Sequence, residues 1–256
     1  MPLLTVVAGP NGSGKSTLIS YLAEKGIELG HYINADDIAR ARGLTGIEGA
    51  LTAQRLADEE RENCLRQGID FTFETVMSHE SKPQFMARAR NEGYVVQLMF
   101  VATSNPQLNA SRVRARVILG GHDVPLDRIL ARYHRSISLL PKAILASGRS
   151  IVFDNSRLAL KVSDKGLSPF VECYWENQLL VTSVRLPCPV WIVEALRMPS
   201  EGYGLTRVSV DTQQMKAYWK ADPLLCRKRN SDLTVKELLN CAEAEAVQGL
   251  FSKDYS

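Results

Sequence analysis

No run of apolar residues in this 256-residue chain approaches the roughly 18 needed to cross a bilayer. The start, Met1-Pro2-Leu3-Leu4-Thr5, carries no basic segment ahead of its apolar residues. Neither a membrane span nor a secretory leader is expected, and the chain reads as a cytoplasmic protein. Cysteine is sparse: Cys64, Cys173, Cys188, Cys226 and Cys241 are odd in number, widely spaced and without a CxxC pair. That speaks against both a disulfide framework and a zinc site and predicts reduced thiols. The histidines His31, His79, His122 and His134 share no ligand spacing, so no transition metal is expected. A large charge of one sign is also missing. The net charge of +3 is too small to require a nucleic acid or membrane partner, so any anion preference must arise locally.

Missing too are an Asn-Lys-x-Asp guanine reader, a Leu-Ser-Gly-Gly signature and a hydrophobic strand ending in Asp-Glu. The nearest candidate for the last, Ile151-Val152-Phe153-Asp154-Asn155, has Asn where a water-polarising Glu would stand. Nucleotide hydrolysis as the chain's purpose is therefore disfavoured.

What is present is an ordinary globular balance, 45% hydrophobic and 23% charged residues, which predicts a folded chain. Its length suits one α/β domain with an appendix. Short apolar runs at 3–8, 32–33, 71–73, 94–101 and 151–153 predict buried strands. Helical spacing at 16–25, 47–67, 82–91 and 107–119 alternates with them, several stretches ending at a glycine. Such alternation implies right-handed crossovers, a parallel sheet and ligands at the carboxyl ends of its strands. After residue 155, period-2 stretches at 158–162 and 179–186 suggest a small antiparallel addition, and 191–196 and 235–250 could be helices. The expected organisation is a core over 1–157, a β addition over 158–190 and an extension over 191–256.

Between the first strand and the first helix stands Gly9-Pro10-Asn11-Gly12-Ser13-Gly14-Lys15-Ser16-Thr17, which fits the phosphate-binding pattern G-x-x-x-x-G-K-[ST] in its required context. Gly12 and Gly14 allow successive N–H groups to face one phosphate at the positive end of a helix. Lys15 would meet the β- and γ-phosphates, and the Ser16 hydroxyl is the expected magnesium ligand. ATP and Mg²⁺ are the expected cofactors.

Three further constellations bear on the reaction. Asp36 and Asp37 follow the second strand, where a carboxylate can take a proton from an attacking hydroxyl or hold magnesium through water; alternatively, one of them caps a helix starting at Ile38. Glu74, with Thr75 after it, ends the third strand and could orient a substrate hydroxyl, or be a surface loop residue. Arg112 and Arg116 share one helical face, and Arg128, Arg132 and Arg135 another, flanking Gly120-Gly121-His122-Asp123-Val124-Pro125. The pattern reads as a hinged lid over about 111–136 whose arginines offset transition-state charge, against a plainly solvated basic face for any one of them. Asn155, ending the last core strand, could contact adenine or form an Asx turn.

Together, the phosphate loop, Ile33-Asn34-Ala35-Asp36-Asp37, Phe73-Glu74-Thr75, Gly120 to Pro125 and Phe153-Asp154-Asn155-Ser156 resemble zeta toxin-like kinases over roughly residues 1–160. The resemblance implies a nucleoside-kinase-like P-loop fold, with five parallel strands flanked by helices, a helical arginine lid and phosphoryl transfer to a hydroxyl of a small molecule such as a nucleotide sugar. It implies that Asp36 is the general base and that Lys15 and Ser16 contact nucleotide and magnesium. It also implies that Glu74 lies in the acceptor site, that Arg116 with Arg128 or Arg132 serves the lid, and that an antitoxin protein is a possible partner. A polynucleotide or RNA-end kinase, and a nucleotide-dependent binding or toxin–antitoxin component, remain as alternatives. Arg227-Lys228-Arg229 reads as a solvated loop rather than a nucleic-acid contact, and Trp175, Trp191 and Trp219 as packing residues.

Overall fold

A computed structural model describes residues 1–119, 124–156, 169–176, 179–185, 188–197, 205–211 and 216–221. Five strands, β1 (Leu3–Ala8), β2 (His31–Ile33), β3 (Phe71–Thr75), β4 (Val95–Ala102) and β5 (Arg149–Asp154), pair in parallel in the order β2-β3-β1-β4-β5. The helices between them are α1 (Lys15–Glu24), α2 (Ala35–Ala41), α3 (Gly46–Gln67), α4 (Ser81–Asn91), α5 (Pro106–Ile118) and α6 (Leu126–Ala146). This is the α/β arrangement expected of a P-loop kinase.

The same sheet continues past β5 through antiparallel strands β6 (Val171–Glu176) and β7 (Leu179–Arg185), then β9 (Lys216–Ala221) and, at the edge, β8 (Leu205–Asp211). The expected two-stranded addition is thus four strands hydrogen-bonded to the core sheet. The stretch 179–186 forms β7, and 191–196 lies within helix α7 (Val190–Arg197). The expected strand at 158–162 and helix at 235–250 lie outside the described residues, as does the Gly120 to Asp123 turn.

The core follows from the alternation of strand side chains. Leu4, Val6 and Ala8 of β1, with Val96, Leu98, Phe100 and Ala102 of β4, face one side and pack with residues of α3, α4 and α6. Val7, Met99 and Val101 face the other, where Leu18 and Leu22 of α1 cover them. Because both faces are covered, β1 and β4 are apolar apart from Thr5 and Gln97. Phe71 anchors the first side, edge-on to Phe85 at 6.3 Å and to Tyr94 at 5.7 Å. Cys173, Cys188, Trp191, Ile192 and Ala195 belong to that same cluster. The described cysteines, Cys64, Cys173 and Cys188, are buried and form no disulfide with one another.

The sheet order sets the site. β1 lies between β3 and β4, so the loop leaving Ala8 has the end of β3 on one side and the ends of β4 and β5 on the other. Val7 is level with Glu74, Ala8 with Phe100, and Ala102 with Asp154.

Candidate active site

The loop from Gly9 to Gly14 is held from behind by two buried asparagines. Asn155, just beyond β5, donates from Nδ2 to the Ser13 carbonyl at 2.8 Å. Asn109, in the first turn of α5, donates from Nδ2 to the Asn11 carbonyl at 2.7 Å. In a planar trans peptide the N–H points opposite to the C=O. Pinning the Asn11 and Ser13 carbonyls therefore turns the Gly12 and Gly14 N–H groups away from the asparagines, leaving them free for a phosphate. Glycine is required on steric grounds as well. A Cβ on Gly12 would come within 2.5 Å of the Asn109 carbonyl oxygen, and one on Gly14 within 2.3 Å of Asn155 Nδ2. Both residues also have positive φ, 73° and 103°.

Asn155, for which the sequence allows an adenine contact or an Asx turn, spends its amide on the loop instead. Its side chain is buried and committed to the loop. The Asx-type contact at this turn belongs to its neighbour: Asp154 accepts from the Ser156 hydroxyl at 2.5 Å and also from the Trp191 indole N–H of α7 at 2.7 Å.

In front of the loop, Glu74 gathers the polar groups. Its Oε2 accepts from the Ser16 hydroxyl at 3.2 Å, the Tyr32 hydroxyl at 3.3 Å and Asn34 Nδ2 at 3.4 Å. Its Oε1 lies 3.7 Å from Lys15 Nζ, which also donates to the Pro10 carbonyl at 3.1 Å. Lys15 is buried, and burial lowers its pKa; Glu74 and then Asp36 counteract this, while Arg116 reinforces it. Burial likewise raises the pKa of Tyr32. Glu74 thus touches the two phosphate-loop side chains that matter most. It stands on β3, the strand beside β1, level with Val7. Thr75 turns its hydroxyl to the Met77 N–H at 3.1 Å, which steadies the positive φ of 55° at Met77.

Asp36 and Asp37 lie in the first turn of α2, and neither caps it. The cap is Asn34, whose Oδ1 accepts from the Asp36 N–H at 2.8 Å, so the helix starts at Ala35 rather than Ile38. Asp37 pairs with Arg40 at 2.8 Å on the surface. Asp36 is exposed, and its charge acts on both Lys15 and Arg132. Arg132, half-buried on α6, has its pKa lowered by burial and then by Arg128 and Arg135. Arg116 on α5 is exposed and acts on Lys15; Arg128 is exposed. The structure thus brings Lys15, Ser16, Glu74, Asp36, Arg116 and Arg132 around one end of the sheet. Thr17 is exposed in the first turn of α1.

Residues 1–140, more than half of the 256, match the zeta toxin family. The chain belongs to the zeta toxin family. This family member is 32% identical over 126 residues to an uncharacterized protein of Haemophilus influenzae, covering 49% of this chain and 88% of that one. Among solved structures it is similar to one from the PezAT chromosomal toxin–antitoxin system of Streptococcus pneumoniae, with 17% identity, a TM-score of 0.46 and coverage of 60% and 69% of the two chains. It is also similar to shikimate kinase from Bacteroides thetaiotaomicron, with 17% identity, a TM-score of 0.38 and coverage of 59% and 85%.

Two loop-holding contacts of this zeta toxin family member have no signal in the sequence. Asn109 and the loop-holding role of Asn155 have partners 98 and 142 residues away in sequence, and a lone asparagine carries no periodic signal. Among the described residues no helix is long and apolar enough to cross a membrane, and no group of three or more His, Cys, Asp or Glu could hold a metal ion.

Proposed function

We propose that this protein is an ATP-dependent phosphotransferase that moves the γ-phosphate of ATP to a hydroxyl of a small molecule. The observation that carries the reading is the convergence on Glu74 of Lys15 and Ser16, with Asp36 and Arg132 in electrostatic reach of the same place. The loop N–H groups and Lys15 bind the triphosphate. Asp36 takes the proton of the acceptor hydroxyl as its oxygen bonds to the γ-phosphorus and the bond to the bridging oxygen breaks, leaving ADP. Arg116 and Arg132 offset the charge that spreads over the equatorial oxygens, with Arg128 in support.

The Ser16 hydroxyl and Glu74 carboxylate, 3.2 Å apart, are hard oxygen donors that suit Mg²⁺, an ion that keeps few protein ligands beside substrate phosphates. When bound there it neutralises phosphate charge. Asp36 adds a carboxylate that could act through water. Tyr32 and Asn34, bonded to Glu74, with Asp37 on the neighbouring first turn of α2, would hold the acceptor, and a nucleotide sugar offers hydroxyls that suit such polar groups. An antitoxin partner follows from family membership as a further proposal.

The test is incubation of the protein with labelled ATP and a metabolite extract, comparing wild type with Lys15→Ala and Asp36→Asn. A labelled product formed by wild type, lost in Lys15→Ala and lost in Asp36→Asn with ATP binding retained, is the expected outcome. Full transfer by Asp36→Asn refutes the base assignment. Labelling of a 5′-hydroxyl oligonucleotide in preference to any metabolite refutes the small-molecule acceptor.

A further inference from the structure

Behind the phosphate loop a line of buried polar groups runs to both arginine-bearing helices. Asn109, fully buried on α5, donates to the Asn11 carbonyl of the loop. That carbonyl can only accept, which fixes the amide nitrogen of Asn109 toward it and the amide oxygen toward the Thr103 hydroxyl, its hydrogen-bond partner. The Thr103 hydroxyl, fully buried just past the end of β4, faces two acceptors of α5 with its single proton, the Asn109 amide oxygen and, at 3.1 Å, the carbonyl of the capping residue Asn105. The Thr103 carbonyl accepts from the Tyr133 hydroxyl of α6 at 2.6 Å. We propose that Asn109, Thr103 and Tyr133 form a positioning relay that fixes the arginines of α5 and α6 against the phosphate loop, so that the γ-phosphate meets them in place. The proposal rests on the phosphotransferase reading above.

Several features favour a positioning device over a chance run of contacts. Arg112 and Arg116 follow Asn109 by three and seven residues, so all three lie along one face of α5. The base of that face is the point tied to the loop. On α6, Arg132 directly precedes Tyr133, so the bond that fixes Tyr133 also fixes the backbone that carries Arg132. The approach of α5 to the loop is close enough that only glycine fits at position 12. Burial pushes the Tyr133 hydroxyl up to about 12, so it remains a neutral donor at any working pH. Each member of the relay is dry, where a polar group left without its partner is expensive, so the helices have one favoured seat rather than many.

The test separates γ-phosphate recognition from general nucleotide binding. Dissociation constants for ATP, ADP and ADP with aluminium fluoride are measured by fluorescence titration, with Mg²⁺ present, for wild type and for Tyr133→Phe, Thr103→Val, Thr103→Ser and Arg132→Ala. Tyr133→Phe removes the buried bond to the Thr103 carbonyl, and Thr103→Val the hydroxyl's contacts with Asn109 and Asn105, both while keeping shape. They are expected to weaken ATP and ADP–aluminium fluoride about fivefold while leaving ADP within about twofold. Thr103→Ser retains the donor and is expected to restore the wild-type preference. The double variant Tyr133→Phe/Arg132→Ala is expected to discriminate no worse than Arg132→Ala alone, because Tyr133 acts through the arginine. Equal weakening of ATP and ADP by Tyr133→Phe, or additive losses in the double variant, overturns the relay. If Arg132→Ala itself leaves the ATP to ADP preference unchanged, the arginine-lid reading fails and the relay falls with it. An unchanged preference in Tyr133→Phe alone, with Arg132→Ala impaired, refutes only the relay.

Discussion

Replacing Asn155 tests whether the phosphate loop is shaped by its backing or by its own glycines. In Asn155→Ala the Ser13 carbonyl loses its 2.8 Å donor at a site where the side chain is only 7% exposed, so water cannot easily take its place. An unpaired buried acceptor costs about 1–3 kcal/mol. Part of that cost is relieved if the Ser13–Gly14 peptide rotates, and rotation turns the Gly14 N–H out of the cradle. Either way the lost free energy appears as weaker triphosphate binding, about 5- to 150-fold. Asn155→Asp keeps the shape but sets a carboxylate oxygen against the Ser13 carbonyl oxygen and near the phosphates, so it is expected to bind more weakly than Asn155→Ala. Fluorescence titration with ATP, GTP and inorganic triphosphate reads the result. A loop-holding residue weakens all three by the same factor, because what changes is the phosphate cradle. If Asn155→Ala weakens ATP but spares GTP and triphosphate, Asn155 reads the base and the reasoning from loop geometry is wrong.

Gly14→Ala is expected to abolish ATP binding, since its Cβ would lie 2.3 Å from Asn155 Nδ2 on a backbone with φ of 103°; retained affinity by titration would contradict the packing described for the loop. Lys15 must be protonated to hold the triphosphate, and burial already sets its pKa below the ordinary lysine value while Glu74 raises it. Affinity is therefore full below that pKa and lost as pH rises through it. Glu74→Gln removes the raising influence, so its loss should begin at lower pH; coincident pH profiles of the two proteins would argue against the Lys15–Glu74 coupling. Phe71→Ala empties the centre of the aromatic cluster formed with Phe73, Phe85 and Tyr94 and should cost about 3–5 kcal/mol, read as a lower urea midpoint at unchanged slope.

The parallel core was legible because each of its strands is a short apolar run closed by a turn, and because Gly68 and Gly93 mark helix ends where the chain takes positive φ. α2 left a weak trace: none of its seven residues is buried, so it has no apolar stripe to announce it, and Asn34 rather than either aspartate caps it. β6 does alternate, with Val171 and Cys173 buried and Tyr174 exposed, but it is short and follows residues with no clear period. Within the site, the glycine loop, Lys15, Ser16 and the carboxylates could be read from spacing, since they cluster at strand ends. What spacing could not reveal was which strand lies beside β1. That neighbour relation puts Glu74 on Ser16, and the placement of β4 and β5 puts Asn109 and Asn155 behind the loop.

The hydrogen bond from Trp191 to Asp154 bears on how this chain divides between inheritance and cooperativity. The segment recognisable as zeta toxin ends at residue 140, in the middle of α6 and at a fully buried leucine. Beyond that boundary lie β5, the asparagine that shapes the phosphate loop, and α7, whose indole steadies the residue beside that asparagine. Cys188, Trp191, Ile192 and Ala195 share their cluster with residues of β1 and β4. A fragment cut where the family likeness stops would keep the glycines, Lys15 and Asp36, yet lose half of what gives the loop its shape. The stretch of sequence that marks descent is thus smaller than the unit that must fold together to hold a nucleotide.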